Sequence, residues 1–211
     1  MAGARLKALL GLLPVDLGGN SDEGGTLMDK GAESYLKYLS GDDEGIAEIV
    51  SLYREKLIFF LNGIVNNIYA AEDLAEDTFF KLMVKKPKFT PRYSFKTWLF
   101  TVARNLALDY LRKNAKNDGV PFEDMENLPA EEKEFERNLI RDEDGIFLHK
   151  AMESLPPQYS QILHLVYFED FTADEAAKVV KKTKRQTEML LYRARAALKT
   201  RLEKEGFRYE N

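Results

Sequence analysis

Residues 172–193 read TADEAAKVVKKTKRQTEMLLYR and contain two helix-capping patterns. In Thr172-Ala-Asp-Glu175 and Thr183-Lys-Arg-Gln186, a Glu or Gln lies three residues after a threonine. Within each pattern, the side chain of either residue can accept a hydrogen bond from the free backbone amide of the other. Each cap contributes about 1 kcal/mol and marks where a helix begins. The patterns predict a helix over 173–180 and a second helix after a tight connection at Lys181-Lys182. This spacing is that of a helix-turn-helix.

The second helix, predicted to run to about Lys204, separates two kinds of residue at spacings of three and four. Its inner stripe is predicted to be Thr187, Leu191, Ala194, Leu198 and Leu202. Its outer stripe is predicted to be Arg185, Glu188, Tyr192, Arg195 and Lys199. Basic residues cluster at the helix start, where free amides and the helix dipole also favour phosphate. A DNA duplex can dock there, and the alternative is a basic helix that is merely solvated.

Two further segments precede the helix-turn-helix and complete a domain predicted over 142–208. Residues 146–152 read as a short helix. Leu155-Pro156-Pro157 opens a longer helix that ends near Phe168, because proline is tolerated in a first helical turn.

Three more amphipathic patterns predict a first domain over 29–114, a three-helix bundle. The first helix begins near Gly45, and its apolar residues are Ile46, Ile49, Val50, Tyr53, Leu57, Phe60, Leu61, Ile64, Val65 and Ile68. In the second helix, over 71–84, the residues predicted to face the core are Leu74, Ala75, Thr78, Phe79, Leu82 and Met83. The third, over 95–113, buries Trp98, Leu99, Val102, Ala103, Leu106 and Tyr110. The fold is therefore predicted to be all-α, with two small helical domains.

An acidic segment separates the two domains. The chain has 211 residues and a formal net charge of -4, but this charge is unevenly distributed. Residues 115–141 are rich in Asp and Glu, contain Pro121 and Pro129 and have few apolar residues. Such a composition predicts a flexible acidic linker.

The first residues allow three interpretations. Residues 1–28 contain a short apolar run, 8–13, followed by Pro14 and a Gly/Asp/Ser tract. A signal peptide fits poorly, because the apolar run is at the short limit and no small-residue cleavage pattern follows. A disordered leader fits better. The third interpretation is that translation begins at Met28.

Composition excludes several classes of protein. The chain has no cysteine and only two histidines, so disulfides, thiolate metal sites and a zinc cluster are excluded. The sequence contains no uninterrupted run of about 18 apolar residues, the length that a membrane-spanning helix needs. We therefore expect a soluble, cytoplasmic protein. Paired acids occur without a partnering histidine, nucleophile or glycine-rich phosphate loop, so we predict no enzyme activity and no cofactor.

Five motifs resemble the extracytoplasmic-function (ECF) group of RNA polymerase sigma factors. LPPQYSQIL at 155–163, YFEDFTADEAA at 167–177 and YRARAAL at 192–198 are similar to sigma region 4. AEDLAEDTF at 71–79 and TWLFTVARNLALDYLR at 97–112 are similar to region 2. The resemblance covers roughly 34–205, in the family's order and spacing.

The resemblance implies that the chain binds the clamp and flap of core RNA polymerase and two promoter elements. Polymerase contact would come from Asp73, Glu76 and Phe79. The single-stranded minus-ten element would be captured around Lys88, Phe89, Arg92, Tyr93, Ser94, Trp98, Asn105 and Arg112. The minus-thirty-five duplex would be read by Lys181, Lys182, Lys184, Arg185, Gln186, Glu188, Met189, Tyr192 and Arg193. An anti-sigma factor is the usual partner in this group.

Several of these residues have a structural alternative. Trp98 is more often a core residue than a strand-separating wedge, and Phe79 either packs inside or contacts the polymerase. Asp73 and Glu76 either face solvent or bind the polymerase. The linker either approaches the RNA exit path of the polymerase or is a plain spacer.

Six residues at three sites depart from the family pattern. Glu76 stands where glutamine is usual, and Lys181 and Lys182 stand where the turn usually has glycine and an apolar neighbour. Glu188, Met189 and Leu190 replace the usual basic and hydroxyl residues of the recognition helix. A carboxylate repels phosphate but can accept a hydrogen bond from a cytosine amine, so an altered promoter sequence is expected.

The sequence thus predicts a sigma factor that recruits polymerase to a small promoter set. One alternative is a stand-alone helix-turn-helix regulator, and another is a protein-interaction adaptor. The motifs at 71–79 and 97–112 argue against a regulator, which would normally carry a ligand or dimerisation domain there.

Overall fold

A computed structural model describes residues 29–90, 92–118, 148 and 150–204, and the regular structure in these ranges is helical. The helices are α1 (Lys30–Leu39), α2 (Glu44–Val65), α3 (Ile68–Lys85), α4 (Phe95–Asp118), α5 (Pro157–Tyr167), α6 (Ala173–Val180) and α7 (Lys184–Lys204). Residues 148 and 150–153 are also helical. The all-α prediction is confirmed for these residues. The leader, most of the acidic linker and residues 142–147 and 205–208 lie outside the described ranges.

The first domain has four helices rather than the predicted three, because α1 was missed. Asp29 caps α1, and its carboxylate accepts a hydrogen bond of 2.8 Å from the Ala32 amide. The buried face of α1 carries small and polar residues together with Tyr35 and Tyr38, so it lacks a clear aliphatic period. The hydroxyl of Tyr35 donates to the Pro87 carbonyl at 2.7 Å, and that of Tyr38 donates to the Met83 carbonyl at 3.0 Å. These bonds hold α1 against the end of α3.

Helix α2 ends earlier than the spacing of its apolar residues predicted, at Val65 rather than beyond Ile68. Asn66 ends α2 in the left-handed conformation, with φ of 50° and ψ of 38°. Asn67 then caps α3 by accepting a hydrogen bond of 3.2 Å from the Ala70 amide. Asparagine adopts this conformation more readily than most residues, so the turn needs no glycine. Ile68, predicted to continue the first helix, instead begins α3.

Helix α4 is longer than predicted and is buried on two faces. It continues to Asp118, beyond the predicted end at residue 113. The predicted inward residues Leu99 and Ala103 are fully buried, but so is Phe100, which the single-face pattern left out. The additional buried face arises because α6 of the second domain packs against α4.

The two domains share a continuous hydrophobic core in the described residues. Helix α5 packs on α2, and α6 packs on α4. The ring of Phe100 lies 5.1 Å from that of Phe60 on α2 and 5.3 Å from that of Phe171, which precedes α6. Full burial of each phenylalanine contributes about 1.5–3 kcal/mol to folding. The domains predicted as separate modules are therefore docked against each other.

Both predicted capping boxes are present in the helix-turn-helix. The Glu175 amide donates to the Thr172 hydroxyl at 3.2 Å, and the Thr172 amide donates back to the Glu175 carboxylate at 3.0 Å. The Gln186 amide donates to the Thr183 hydroxyl at 3.2 Å, and the Thr183 amide donates to the Gln186 side chain at 2.9 Å. The predicted bounds of α6 are confirmed, and all five inner-stripe residues of α7 are buried.

Lysine at the turn between α6 and α7 costs stability. Lys181 lies in the left-handed region with φ of 55° and ψ of 47°, where glycine is favoured. We expect Lys181→Gly to raise the free energy of unfolding by about 0.5–1 kcal/mol, because the strain of a Cβ atom is removed. Urea and thermal unfolding would measure the gain. Lys182→Gly is the control, because Lys182 lacks a positive φ, and a larger gain in that variant would contradict the argument.

Candidate nucleic-acid and protein interfaces

The start of α7 presents the predicted duplex-reading residues on one exposed surface. Lys181, Lys182, Lys184, Arg185, Gln186, Glu188, Met189, Tyr192 and Arg193 are all exposed. Met189 and Tyr192 are 49% and 65% exposed, although both are large apolar or aromatic side chains. Large side chains that project into solvent beside basic residues provide the combination that contacts base edges and phosphates.

Not every residue of this surface is free to bind DNA. Lys184 forms an ion pair of 3.0 Å with Asp174 on α6, and this hydrogen bond raises the pKa of the Lys184 ammonium. Gln186 uses its side-chain oxygen in the cap. Leu190, named with Glu188 and Met189 as a departure from the family pattern, is only 9% exposed and packs in the core, so its side chain is not part of this surface. Arg195, predicted on the outer stripe, is half-buried.

A loop of basic and aromatic residues, which the sequence analysis assigned to single-strand capture, leads into α4. Lys88, Arg92 and Tyr93 are exposed, whereas Phe89 and Ser94 are half-buried. The loop rests on an aromatic cluster in which Trp98 lies 5.6 Å from Phe89, 5.3 Å from Phe95 and 5.5 Å from Tyr35, between ring centroids. Trp98 is half-buried, so it anchors this cluster while keeping part of its ring accessible.

The predicted pocket residues farther along α4 are separate from this loop. Asn105 is half-buried and Arg112 is exposed. Arg112 lies about 21 Å along the helix axis from Trp98, given a rise of 1.5 Å per residue. Its guanidinium forms an ion pair of 2.9 Å with Asp109 and lines a cavity between α3 and α4. The structure therefore groups the loop with Trp98 and places Arg112 elsewhere.

Helix α3 exposes the two predicted polymerase-binding acids but buries the predicted aromatic contact. Asp73 and Glu76 are exposed. Phe79 is only 5% exposed, because its ring belongs to the core, and assigning it to a binding surface was wrong. Phe80 and Val84, which sequence reasoning missed, are 61% and 62% exposed. Phe80 and Val84 follow Asp73 by seven and eleven residues, and residues at these spacings lie on the same face of a helix. The sequence could therefore have placed them beside Asp73.

The second domain contacts the single-strand loop directly. The Lys178 ammonium of α6 lies 5.0 Å from the centroid of the Tyr93 ring, and a hydrogen bond to the Tyr93 side chain raises the pKa of Lys178. The Ser94 hydroxyl donates to the Glu175 carboxylate at 3.2 Å. Glu175, predicted only as a helix cap, thus also joins the two domains.

Neither a metal-binding group of side chains nor a membrane-spanning helix occurs in the described residues. Within them, no group of three or more His, Cys, Asp or Glu side chains could hold a metal ion. A search of the same ranges for a helix both long and apolar enough to cross a membrane found none.

Two protein-family models match the chain. The sigma-70 region 2 model matches residues 49–117, and the sigma-70 region 4 model matches residues 148–198. The first match covers most of α2 to α4, and the second covers α5, α6 and most of α7. Both matches therefore fall on the helices that carry the candidate surfaces.

Curated relatives match over most of their length. The ECF RNA polymerase sigma factor SigW of Bacillus subtilis (strain 168) is 24% identical over 173 residues, covering 77% of this chain and 91% of the relative. The ECF RNA polymerase sigma factor SigM of the same organism is 29% identical over 161 residues, covering 73% and 93%.

Two solved structures are similar in fold. The structure of CnrH in complex with the cytosolic domain of CnrY has a TM-score of 0.58 and 19% identity, covering 83% of this chain and 98% of the solved chain. The sigma factor RpoE in complex with the anti-sigma factor NepR from Bartonella quintana has a TM-score of 0.58 and 23% identity, covering 74% and 96%.

Proposed function

The chain belongs to the sigma-70 family of RNA polymerase sigma factors, in its ECF group, and we propose that it directs polymerase to a specific set of promoters. Region 2, the domain of α1 to α4, captures the minus-ten element as a single strand. Region 4, the domain of α5 to α7, reads the minus-thirty-five duplex. The observation that carries this proposal is that both regions occur in one chain in order, each exposing residues suited to its task.

Energetics explain why such a protein acts with polymerase. Opening DNA costs about 1.4 kcal/mol per base step, and stacking a freed base on an aromatic side chain returns about 1–3 kcal/mol. The loop around Tyr93 offers few such side chains. One small domain therefore cannot hold a bubble of several base pairs by itself, so the remaining free energy must come from core polymerase.

Transcription with purified components tests the proposal. The templates are promoters of genes whose transcripts rise when the chain is overexpressed. Purified chain plus bacterial core polymerase should give transcripts with one defined start, and neither component alone should give them. A stand-alone regulator would instead footprint the duplex without polymerase and would give no transcripts with core enzyme.

The partners follow from the same proposal. Region 2 would bind the polymerase clamp through Asp73 and Glu76, with Phe80 in the place first assigned to Phe79, and region 4 would bind the flap. An anti-sigma factor would control the free protein, because the similar sigma factor RpoE is found in complex with the anti-sigma factor NepR. The chain would then act in the cytoplasm, where transcription occurs, without catalysis of its own.

Phosphate contacts at the start of α7 should show in the salt dependence of binding. We expect Arg185→Ala and Arg193→Ala each to weaken binding of the holoenzyme to promoter DNA. If the arginine touches a phosphate, the slope of log K against log salt falls by about 0.9. Lys204→Ala, at the far end of α7, is the matched control. Unchanged affinity in both arginine variants would mean that the upstream duplex binds elsewhere.

Glu188 is expected to select a base rather than to bind phosphate. Its side chain is exposed between Arg185 and Tyr192 on the outer face of α7. A carboxylate accepts a hydrogen bond from the cytosine amine, whereas glutamine pairs with adenine, and such a contact discriminates by about 1–3 kcal/mol. Glu188→Gln should therefore change the preferred base at one upstream position from cytosine to adenine. Selection by the holoenzyme from duplexes randomised upstream would show this, and Glu203→Gln should leave the selected sequence unchanged.

A further inference from the structure

Two large apolar side chains interrupt the polar outer face of α7. Met189 is 49% exposed and Tyr192 is 65% exposed, and they are the large hydrophobic residues that region 4 exposes in its described part. The buried residues of the same helix include Leu190, Leu191, Leu198 and Leu202. Helix α7 therefore has one apolar face that packs in the core and a second, smaller apolar area that the described residues of the chain do not cover.

The position of Met189 on α7 is one that meets base edges. A recognition helix lies in the major groove with its N-terminal residues against the bases. Helix α7 begins at Lys184, so Met189 lies in its second turn. Arg185 precedes Met189 by four residues and Tyr192 follows it by three, so these three side chains share one face of the helix. If α7 reads duplex DNA as proposed above, Met189 faces the floor of the groove.

Local contacts withdraw two other side chains at the start of α7 from the bases. The Lys184 ammonium pairs with the Asp174 carboxylate on α6 at 3.0 Å. The Gln186 side chain accepts a hydrogen bond of 2.9 Å from the Thr183 amide in the cap. The exposed side chains that remain for base edges in the first two turns are Arg185, Glu188 and Met189.

A methionine side chain suits a single feature of the major groove. Its thioether sulfur is a weak hydrogen-bond acceptor, and the side chain has no donor. Met189 therefore discriminates poorly among the polar base edges, which Arg185 and Glu188 can read. The apolar group that bases present in the major groove is the C5 methyl of thymine, and apolar side chains contact it. Adenine, guanine and cytosine offer no such group there.

We propose that Met189 recognises the C5 methyl group of a thymine beside the cytosine that Glu188 contacts. This inference rests on the proposed reading of the minus-thirty-five duplex by region 4, and it adds a second specified base to that element. Adjacent residues of a helix differ by about 100° in direction, so Glu188 and Met189 meet neighbouring bases rather than the same base. The upstream element is therefore expected to contain a cytosine and a thymine in neighbouring base pairs.

Replacing thymine by deoxyuridine tests the proposal, because the replacement removes only the C5 methyl group from the duplex. Each upstream thymine of a promoter selected by the holoenzyme is replaced in turn, on either strand. The full chain with core polymerase should bind about fourfold more weakly when one particular thymine is replaced. That ratio corresponds to the roughly 0.8 kcal/mol contributed by one buried methylene group. The holoenzyme with Met189→Ala should bind the thymine and deoxyuridine duplexes equally.

Two variants of similar size separate apolar contact from shape. Met189→Leu keeps an apolar side chain of similar volume and should retain the discrimination between thymine and deoxyuridine. Met189→Gln keeps the length but is polar, and it should lose the discrimination. Equal binding of every deoxyuridine duplex by the unsubstituted chain, or discrimination that persists in Met189→Ala, would overturn the proposal. Promoter binding remains in both of these cases, whereas its absence from every form would instead contradict the proposed promoter-directing function.

Discussion

Replacing both Asp73 and Glu76 by lysine is expected to lower promoter-specific transcription by at least about 100-fold while leaving the fold intact. Both side chains are exposed on α3, and neither has an ion-pair partner among the described residues, so they do not stabilise the bundle. They lie on the same face as Phe80, an exposed aromatic side chain of the kind that dominates protein interfaces. Losing one desolvated charge contact costs about 2–5 kcal/mol, and charge reversal adds repulsion to that loss.

The measurement separates recruitment from folding. Association of the chain with core polymerase should fail in the double variant, whereas its thermal unfolding and its circular dichroism should match those of the unsubstituted chain. Phe80→Ala should weaken the same association. The control is Glu55→Lys with Glu203→Lys, which reverses two exposed acids on other helices. Normal polymerase binding by the Asp73 and Glu76 variant would place the interface elsewhere on region 2.

The elements that could be predicted from the sequence are those fixed by short-range hydrogen bonds. The bounds of α6 were predicted correctly because Thr172 and Glu175 bond to each other's backbone within one turn. Helix α7 begins where Thr183 predicted, for the same reason. Proline in the first turn of α5 likewise marked its start. Such signals depend on a few neighbouring atoms, so no tertiary information is needed to interpret them.

Which face of a helix is buried was harder to predict. The spacing of apolar residues predicted that Phe79 faces the core, whereas the family resemblance placed it on the binding surface. The side chain is buried, as the spacing predicted. Met83 was also predicted to face inward but is 43% exposed. Leu190 follows two exposed residues and was grouped with them, although its side chain points to the core. Neighbouring residues on a helix differ by about 100° in direction, so a surface cannot be assigned to a run of consecutive residues.

Docking of region 4 on region 2 could not be predicted at all. It depends on contacts between residues far apart in the chain, such as Lys96 with Glu169 and Ser94 with Glu175. Three of these residues have a local explanation, since lysine and serine suit a loop or a helix start and Glu175 caps α6. Nothing in the local sequence pairs them, and Phe100 was left without a role.

Phe100→Ala is expected to lower the free energy of unfolding by about 3–5 kcal/mol, the usual loss when a buried phenylalanine becomes alanine. The Phe100 ring is fully buried between Phe60 of region 2 and Phe171 of region 4. Urea denaturation would measure the loss. Val102→Ala, which removes two methyl groups from a half-buried side chain on the same helix, should cost about 1 kcal/mol. A loss in Phe100→Ala no greater than in this control would mean that the ring does not join the two domains in solution.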